Sequence, residues 1–496
     1  MAFMDAINPI KVSISQFYGI EINDFAVTVA KTALWIAESQ MLKETEEILL
    51  INLDFLPLKT NANIVEGNAL RIDWNEVIPK ENLNYIMGNP PFVGYSLQSK
   101  EQKEDILSIY VDENGRSYRT AGKIDYVAGW YFKSAELMHE TGIRAALVST
   151  NSITQGEQVS AIWKPLYDRF GIHIDFAHRT FIWDSEASIK AHVHCVIVGF
   201  SCEKNDNRRI LFDKGERTIV DNINPYLVNA DNIFVDALKS PLSDVPILLN
   251  GGKPTEGGFL ILSEEEKNDL LNKEPQASVY IRPYMMGKDF IDRKPRYCIW
   301  LVNANPSILK TCKLVLERIE KVKEYRLSSP KEATRKKAET PMLFDEVREC
   351  LEGYIAIPKV SSERRSYIPI EYLPAEIIPG DKLFMIPGAN MYHFGILTSN
   401  VHMAWMRAIC GRLKSDYSYS NSLVYNNFPW PSPTDEQKAK IEQTAQGILD
   451  ARTLYPDSSL ADLYDPLTMP PELRKAHMEN DKAVMRAYGF NIKEIR

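Results

Sequence analysis

The sequence has few cysteines, and none of them form the close pairs typical of metal or redox sites. The six thiols are spread through 496 residues, at Cys195, Cys202, Cys298, Cys312, Cys350 and Cys410. We therefore expect reduced thiols, as in a cytoplasmic protein, without a disulfide framework or a zinc site. His178, His192 and His194 have no third ligand at a convincing spacing, so we predict no metal ion.

Long apolar runs are also absent. No stretch approaches the roughly 20 residues that a membrane helix needs, so we expect no membrane partner. Residues 1–11 mix acidic and polar side chains into a short apolar stretch, which is not typical of a secretory signal. No nucleophile-elbow motif occurs either, and this argues against a serine hydrolase.

The sequence also lacks an even distribution of charge. The net charge of −8 would by itself argue against nucleic acid, but the charges are segregated. Residues 281–430 carry 23 Lys and Arg against 16 Asp and Glu, a surplus of +7, which leaves −15 for the rest. A basic region within an acidic chain is compatible with DNA binding, although an exposed lysine-rich helix would give the same count.

Strand-like and helix-like segments alternate in the first 200 residues. This alternation predicts an α/β domain with a mostly parallel sheet, whose ligands bind at the carboxyl ends of the strands. A polar connector follows, then a loop-rich α+β region and two C-terminal helices, at 434–453 and 471–488. The predicted boundaries are 1–204, 205–245, 246–432 and 433–496.

The segment Asn89-Pro90-Pro91-Phe92 directly follows the predicted strand 83–87 and is the main candidate for catalysis. The prolines fix φ and stiffen the segment. The Asn89 side-chain oxygen and the Pro90 carbonyl can accept the two hydrogens of an exocyclic amine, such as that of adenine, which localises its lone pair. Phe92 offers a face on which an extruded base can stack. The alternative interpretation is a proline-rich turn after a core strand.

Two polar residues at strand ends are candidates for nucleotide binding. Glu21 ends the predicted strand 17–22, where such folds bind ribose hydroxyls, and Asn68 follows the strand that begins at 63. With Ile22 and Ala69 they form the predicted cofactor-binding set. Exposure of Glu21 to solvent and a plain turn at Asn68 are the alternatives. A glycine-rich turn is missing, because Gly19, inside a strand, is the only glycine before residue 67.

These motifs occur within longer segments that resemble the MmeI-like, type IIL restriction-modification DNA methyltransferases. The similar segments follow one another in order through nearly the whole chain: 17–41, 66–70, 85–94, 125–131, 148–159, 177–183, 281–291, 358–370 and 392–431. The resemblance implies a Rossmann-like methyltransferase sheet that uses S-adenosylmethionine, followed by a target-recognition domain. It also implies adenine N6 in double-stranded DNA as the methyl acceptor, with Asn89, Pro90 and Phe92 matching the catalytic motif.

Family members carry a nuclease and a glycine-rich cofactor motif before the position of Tyr18, and neither occurs here. We therefore expect that the first strand of the sheet is missing and that this chain does not cleave DNA. A preceding segment or a companion chain would have to supply the front of the cofactor site.

Three basic clusters in the second region are candidates for DNA binding. Arginine can read guanine, whereas lysine and serine more often hold phosphate. The candidate residues are Arg282, Lys288, Lys359, Arg364, Arg365, Arg412, Lys414 and Ser415.

Two functions from other classes remain open. The chain could be a DNA-recognition module without catalysis, or a methyltransferase that modifies glutamine side chains of proteins. The large basic region argues against the second, because methylation of a side-chain amide needs no reader of DNA sequence.

Overall fold

The computed structural model describes residues 11–50, 61–183, 193–203 and 208–492. The chain divides into two compact units. The first comprises residues 1–154 and 158–234, and the second comprises residues 155–157 and 235–496. No helix in the described part of the chain is long and apolar enough to cross a membrane.

The first unit contains eight strands and five α-helices among its described residues. The strands are β1 (Tyr18–Glu21), β2 (Asn63–Glu66), β3 (Tyr85–Gly88), β4 (Arg144–Thr150), β5 (His173–Trp183), β6 (Val193–Ser201), β7 (Arg209–Asp213) and β8 (Glu216–Val220). The helices are α1 (Asp24–Leu49), α2 (Trp74–Val77), α3 (Lys100–Ile109), α4 (Ala128–Met138) and α5 (Gly156–Phe170).

The strands form two sheets. β1 and β2 pair in parallel, and the other six follow the order β3-β4-β6-β5-β7-β8. The α/β prediction is confirmed, but the prediction of a mostly parallel sheet is wrong. Only β3–β4 and β5–β7 are parallel pairs in the larger sheet, and its other three pairs are antiparallel. Only residues 184–192 separate β5 from β6, a connection too short for the crossover helix that parallel pairing needs.

The larger sheet packs against helices through an aromatic core. β4 alternates buried and partly exposed residues, as expected for a strand with one covered face. On α4, the buried Tyr131 stacks on Phe200 of β6 at a centroid distance of 5.3 Å and meets Trp163 of α5 edge-on. β4 pairs with β6, and β3, whose carboxyl end carries the candidate catalytic loop, pairs with β4.

The smaller sheet is covered much less. None of the 26 residues of α1 is fully buried among the described residues, and Phe25 and Ile48 are 76% and 79% exposed.

The outer strand β3 of the larger sheet is also exposed. Its residues Tyr85 and Met87 are 73% and 79% exposed. In the described chain β1 pairs only with β2, and β3 pairs only with β4, so each has an edge without a strand partner.

The second unit combines short strands with helices. Its strands are β9 (Leu249–Asn250), β10 (Ile261–Leu262), β11 (Ile281–Met285), β12 (Arg296–Ile299), β13 (Tyr354–Pro358), β14 (Val360–Ser361), β15 (Glu371–Leu373), β16 (Ile378–Pro379), β17 (Leu383–Pro387), β18 (Gly411–Leu413) and β19 (Asp416–Ser418). Its helices are α6 (Glu264–Lys273), α7 (Gly287–Ile291), α8 (Pro306–Leu309), α9 (Lys313–Leu327), α10 (Glu332–Lys336), α11 (Met391–Leu397), α12 (Asn400–Ile409), α13 (Asp435–Thr453), α14 (Leu460–Leu463) and α15 (Pro471–Ala487).

These strands form three small sheets, with the orders β10-β12-β11-β16, β15-β13-β17-β9 and β14-β19-β18. Arg326 of α9 is fully buried and donates only to backbone carbonyls. The acceptors are the carbonyl oxygens of Pro254, Thr255, Lys337, Thr340 and Leu343. Since a buried guanidinium needs acceptors for its donors, this arrangement ties a loop-rich region together.

Candidate functional site

The acceptor loop, residues 89–94, begins directly after β3, at the carboxyl end of that strand. Asn89 is exposed, Pro90 is buried, and Phe92 is half-buried. The loop therefore presents an amide to solvent from a fixed backbone.

Two bonds fasten the acceptor loop and Tyr95, the residue directly after it, to the segment before α4. The Tyr126 N–H donates to the Val93 carbonyl at 2.9 Å, and the Tyr95 N–H donates to Asp125 Oδ1 at 2.9 Å. Ser152 Oγ, beyond the end of β4, donates to Asp125 Oδ2 at 2.6 Å. Asp125 therefore joins the loop to the end of the neighbouring strand.

The predicted cofactor residues lie together at the ends of the smaller sheet. β1 and β2 end side by side, with the Gly67 N–H donating to the Glu21 carbonyl at 2.7 Å. Ile22 is 64% exposed next to Glu21, and the half-buried Asn68 and Ala69 follow Gly67. The structure thus brings all four predicted residues to one edge.

A buried carboxylate lies beneath this edge. Asp105 of α3 accepts from Asn68 Nδ2 at 3.0 Å, from Arg71 Nε at 2.6 Å and from the Tyr126 hydroxyl at 2.9 Å. The Leu70 N–H donates to Asn68 Oδ1 at 2.9 Å. Burial and the bond to Asp105 raise the pKa of Tyr126 to about 12, so its hydroxyl stays protonated and donates.

Lys133 of α4 holds the same turn from below. Its ammonium donates to the carbonyls of Ala69 and Leu70, at 3.1 and 3.4 Å, and to that of Ile72. The Trp74 indole N–H also donates to the Ala69 carbonyl, at 2.8 Å. Burial lowers the pKa of Lys133. The turn is therefore fixed by side chains from two helices.

Sequence reasoning did not single out Asp105, Asp125, Tyr126 or Lys133 as site residues. Asp125 and Tyr126 lie in a segment that resembles the family, which is a signal that could have found them. Asp105 is a charged residue next to the buried Ile106 on a short amphipathic helix, and that pattern is only a weak signal.

Two of the three predicted DNA-binding clusters share the three-stranded sheet β14-β19-β18. The pairing of Ser361 with Tyr417 places the loop after β14 next to the β18–β19 hairpin. Arg412 lies 4.0 Å from the Tyr417 ring and donates to the Ser415 carbonyl at 3.1 Å. Lys414, at the hairpin tip, is exposed and has a left-handed φ of 59°.

The cluster around β14 is partly tied down by the protein itself. Lys359 donates to Asn250 Oδ1 at 2.6 Å and lies 4.7 Å from the Phe384 ring, and burial lowers its pKa. Arg364 is exposed and forms an ion pair with Asp465 at 3.3 Å. Exposed ion pairs of this kind are weak, so Arg364 is available for a stronger anion.

The remaining candidate DNA-binding residues differ in their exposure to solvent. Arg365 is half-buried, which lowers its pKa, and it donates to Ser361 Oγ at 3.5 Å. Arg282, on β11, has a buried Nε without an acceptor among the described residues. Lys288, on α7, is exposed. Arg282 and Lys288 belong to a different sheet and helix from the β14-β19-β18 cluster.

Three family models match successive parts of the chain. They describe the DNA-methyltransferase domain of MmeI at residues 3–213, its target recognition domain at 229–432 and its C-terminal domain at 433–494. The fold and the order of these parts define a methyltransferase domain followed by a DNA target-recognition domain.

Two known proteins are similar over almost the whole chain. DNA methyltransferase A of Bacillus subtilis (strain 168) is 41% identical over 481 residues, which cover 96% of this chain and 54% of that protein. The type IIL restriction-modification enzyme MmeI, solved in complex with DNA, is 43% identical with a TM-score of 0.88, over 97% of this chain and 64% of that chain.

The chain belongs to the MmeI family of restriction-modification DNA methyltransferases. The resemblance predicted from the sequence is thereby confirmed, as is the methyltransferase fold. The chain spans about half the length of DNA methyltransferase A.

Proposed function

We propose that this chain methylates the N6 amine of adenine in double-stranded DNA, with S-adenosylmethionine as the methyl donor. The observation that carries the proposal is the exposed Asn89 on a stiff loop at the carboxyl end of β3. Asn89 Oδ1 and the Pro90 carbonyl would accept the two hydrogens of the amine and hold its lone pair toward the methyl group. Pro91 keeps the backbone stiff, and the half-buried Phe92 would stack on the extruded base.

The residues at the ends of β1 and β2 fit the adenosine half of the cofactor. Glu21 would accept from the ribose hydroxyls, beside the apolar Ile22. Asn68 Oδ1 would accept from the adenine amine, and the Ala69 N–H, which has no acceptor among the described residues, would donate to the ring. When bound, S-adenosylmethionine supplies an electrophilic methyl group on a sulfonium.

The DNA contacts that we propose centre on the β14-β19-β18 sheet. Arg364, Lys414 and Ser415 project from adjacent loops of this sheet, so that one DNA groove or backbone could meet them together. The structurally tied Lys359, Arg365 and Arg412 would support these loops and add positive potential. Arg282 and Lys288 would extend the interface. We place this activity in the cytoplasm.

We also propose that catalysis requires a further polypeptide segment, from a longer form of this chain or from a companion chain. The edges of β1 and β3 lack strand partners in the described chain, and Tyr85 and Met87 are largely exposed there. An added strand would cover these side chains, and a glycine-rich turn after it would hold the methionine part of the cofactor. Co-expression with such a segment should increase cofactor binding.

The experiment that tests the acceptor assignment is Asn89→Ala, with Asn114→Ala as the matched control in an exposed turn. Both variants are compared with the unmodified chain in the presence of the further segment. Methylation of genomic DNA is followed by mass spectrometry of N6-methyladenine, together with DNA affinity. We expect Asn89→Ala to lower methylation by about 100-fold or more with DNA affinity retained, since removal of a transition-state acceptor costs several kcal/mol. Near-normal methylation by this variant would refute the role of Asn89.

Calorimetry and the identity of the methylated product distinguish this proposal from the two alternatives. Tight, salt-dependent DNA binding without detectable binding of S-adenosylmethionine, even with the further segment, would favour a non-catalytic recognition module. Methylated glutamine in a protein substrate, with no methylated adenine in DNA, would favour the protein methyltransferase.

A further inference from the structure

The side chain of Asp105 is only 6% exposed, and the carboxylate accepts three hydrogen bonds. Its donors are Asn68 Nδ2, Arg71 Nε and the Tyr126 hydroxyl, at 3.0, 2.6 and 2.9 Å. An ionised carboxylate is an acceptor only. Whatever group of Asn68 faces Asp105 must therefore be a donor.

This requirement fixes which way the Asn68 amide points. A side-chain amide has an oxygen on one side and an NH₂ group on the other, and the two ends have nearly the same shape. With the NH₂ group held by Asp105, the oxygen must face the turn, where it accepts from the Leu70 N–H at 2.9 Å. A carbonyl oxygen has two lone pairs, so one lone pair remains for a ligand.

We propose that Asp105 is a positioning residue that sets the specificity of the turn for an adenine ring. It holds Asn68 Oδ1 toward the ligand, where the oxygen accepts from the exocyclic amine at the 6-position. A purine with a carbonyl at that position would meet oxygen against oxygen and be rejected. The inference rests on the proposed use of S-adenosylmethionine and adds the reason why its base is recognised.

The cost of burying Asp105 supports a role beyond packing. Its ion-pair partner Arg71 has a side chain that is 58% exposed, so the pair itself contributes little stability. A buried carboxylate is costly to desolvate, and apolar residues in place of the carboxylate and its partners together would often pack at a lower cost. What the carboxylate adds to the Leu70 N–H on the other side of the amide is a second, charged group that accepts only one of its two orientations.

The test compares two ligands that differ only at the 6-position, S-adenosylhomocysteine and S-inosylhomocysteine, by calorimetry on the full chain together with the further segment proposed above. We expect the unmodified chain to prefer the amine by roughly tenfold or more, because a site built to bind a hydrogen-bond donor rejects an analogue without it. In Asp105→Asn the facing group can accept or donate, so the Asn68 amide can turn at the cost of the single bond from the Leu70 N–H. The preference should then fall to less than about threefold.

Three further variants distinguish a change in the orientation of the Asn68 amide from a general loss of structure at the site. Arg71→Gln and Tyr126→Phe each leave the bond between Asn68 and Asp105 in place and should keep the preference. The double variant Asp105→Asn with Asn68→Asp exchanges the two groups, so that the carboxylate now at position 68 presents an acceptor to the ligand again. We expect it to restore the preference for the amine, and it provides the test if Asp105→Asn alone does not fold.

Each result bears on the proposal. An unchanged preference in Asp105→Asn, an equal loss in Tyr126→Phe, or no preference in the exchanged pair would overturn it. Absence of S-adenosylhomocysteine binding by the unmodified chain, even with the further segment present, would instead refute the cofactor assignment and, with it, this inference. That result differs from binding that ignores the 6-position, which refutes the role of Asp105 alone.

Discussion

Replacing Asp125 by alanine should loosen the acceptor loop while leaving the rest of the first unit folded. The change removes the acceptor of the Tyr95 N–H and that of Ser152 Oγ, at 2.9 and 2.6 Å. The bond from the Tyr126 N–H to the Val93 carbonyl does not involve the side chain and should remain. The loop would then be held at one point instead of two.

The magnitude follows from the two lost bonds. A hydrogen bond to a charged group contributes about 1.5–3 kcal/mol. Two such bonds total about 3–6 kcal/mol, but Tyr95 is 46% exposed, so its N–H can bond to water instead and the expected loss falls to about 2–3 kcal/mol. Because about 1.4 kcal/mol corresponds to a factor of ten, the loop should open roughly 30- to 150-fold more often.

Hydrogen–deuterium exchange of a peptide covering residues 89–98 measures this opening directly and does not depend on catalysis. Asp125→Asn is the matched control, because its Oδ1 still accepts from Tyr95 and its NH₂ group can donate to Ser152. We expect a much smaller increase in exchange for this variant. Unchanged exchange in Asp125→Ala, or equal increases in both variants, would refute the anchoring role of Asp125.

Three other predictions concern the base, the DNA and the pH dependence. Phe92→Ala should lower methylation at limiting DNA about tenfold or more in kinetic assays, since base stacking contributes about 1–3 kcal/mol. Lys414→Ala should weaken DNA binding and reduce the slope of log affinity against log salt by about one, whereas Lys336→Ala, on the exposed face of α10, should not. Burial lowers the pKa of His402 to about 3, below the value near 6.5 of an unfolded chain. The unfolded state therefore binds more protons than the folded state between these two pH values. As the pH falls below 6.5, the free energy of unfolding from urea titrations should decrease by up to about 1.4 kcal/mol per pH unit. The decrease should be less steep in His402→Gln.

Local patterns were sufficient where a segment is bounded by strong signals. The helix expected at 471–488 is found at Pro471–Ala487, where a proline begins it and a glycine follows it. The strand expected to begin at Asn63 is found at Asn63–Glu66. The direction of β5 against β6 was not predicted correctly, because strand polarity is set by the length of a connection, and periodicity does not contain that information.

The site was predictable to the extent that its residues lie in a local motif. Asn89 was found because it directly follows a strand and precedes two prolines. Asp105 and Lys133 act on Asn68 and Ala69 from 37 and 64 positions away in the sequence. Neither belongs to a motif of its own, so only the packing of α3 and α4 against the turn identifies them.

The buried guanidinium of Arg326 holds loops of the second unit together, as a bound calcium ion does in many loop-rich proteins. It collects carbonyl oxygens from segments on both sides of α9, between Pro254 and Leu343, around one positive charge. Unlike an ion, this cation is part of the chain, so chelators cannot remove it and changes in divalent-ion concentration cannot weaken it. Lysine could not take its place, because three donors on one nitrogen cannot reach five carbonyls.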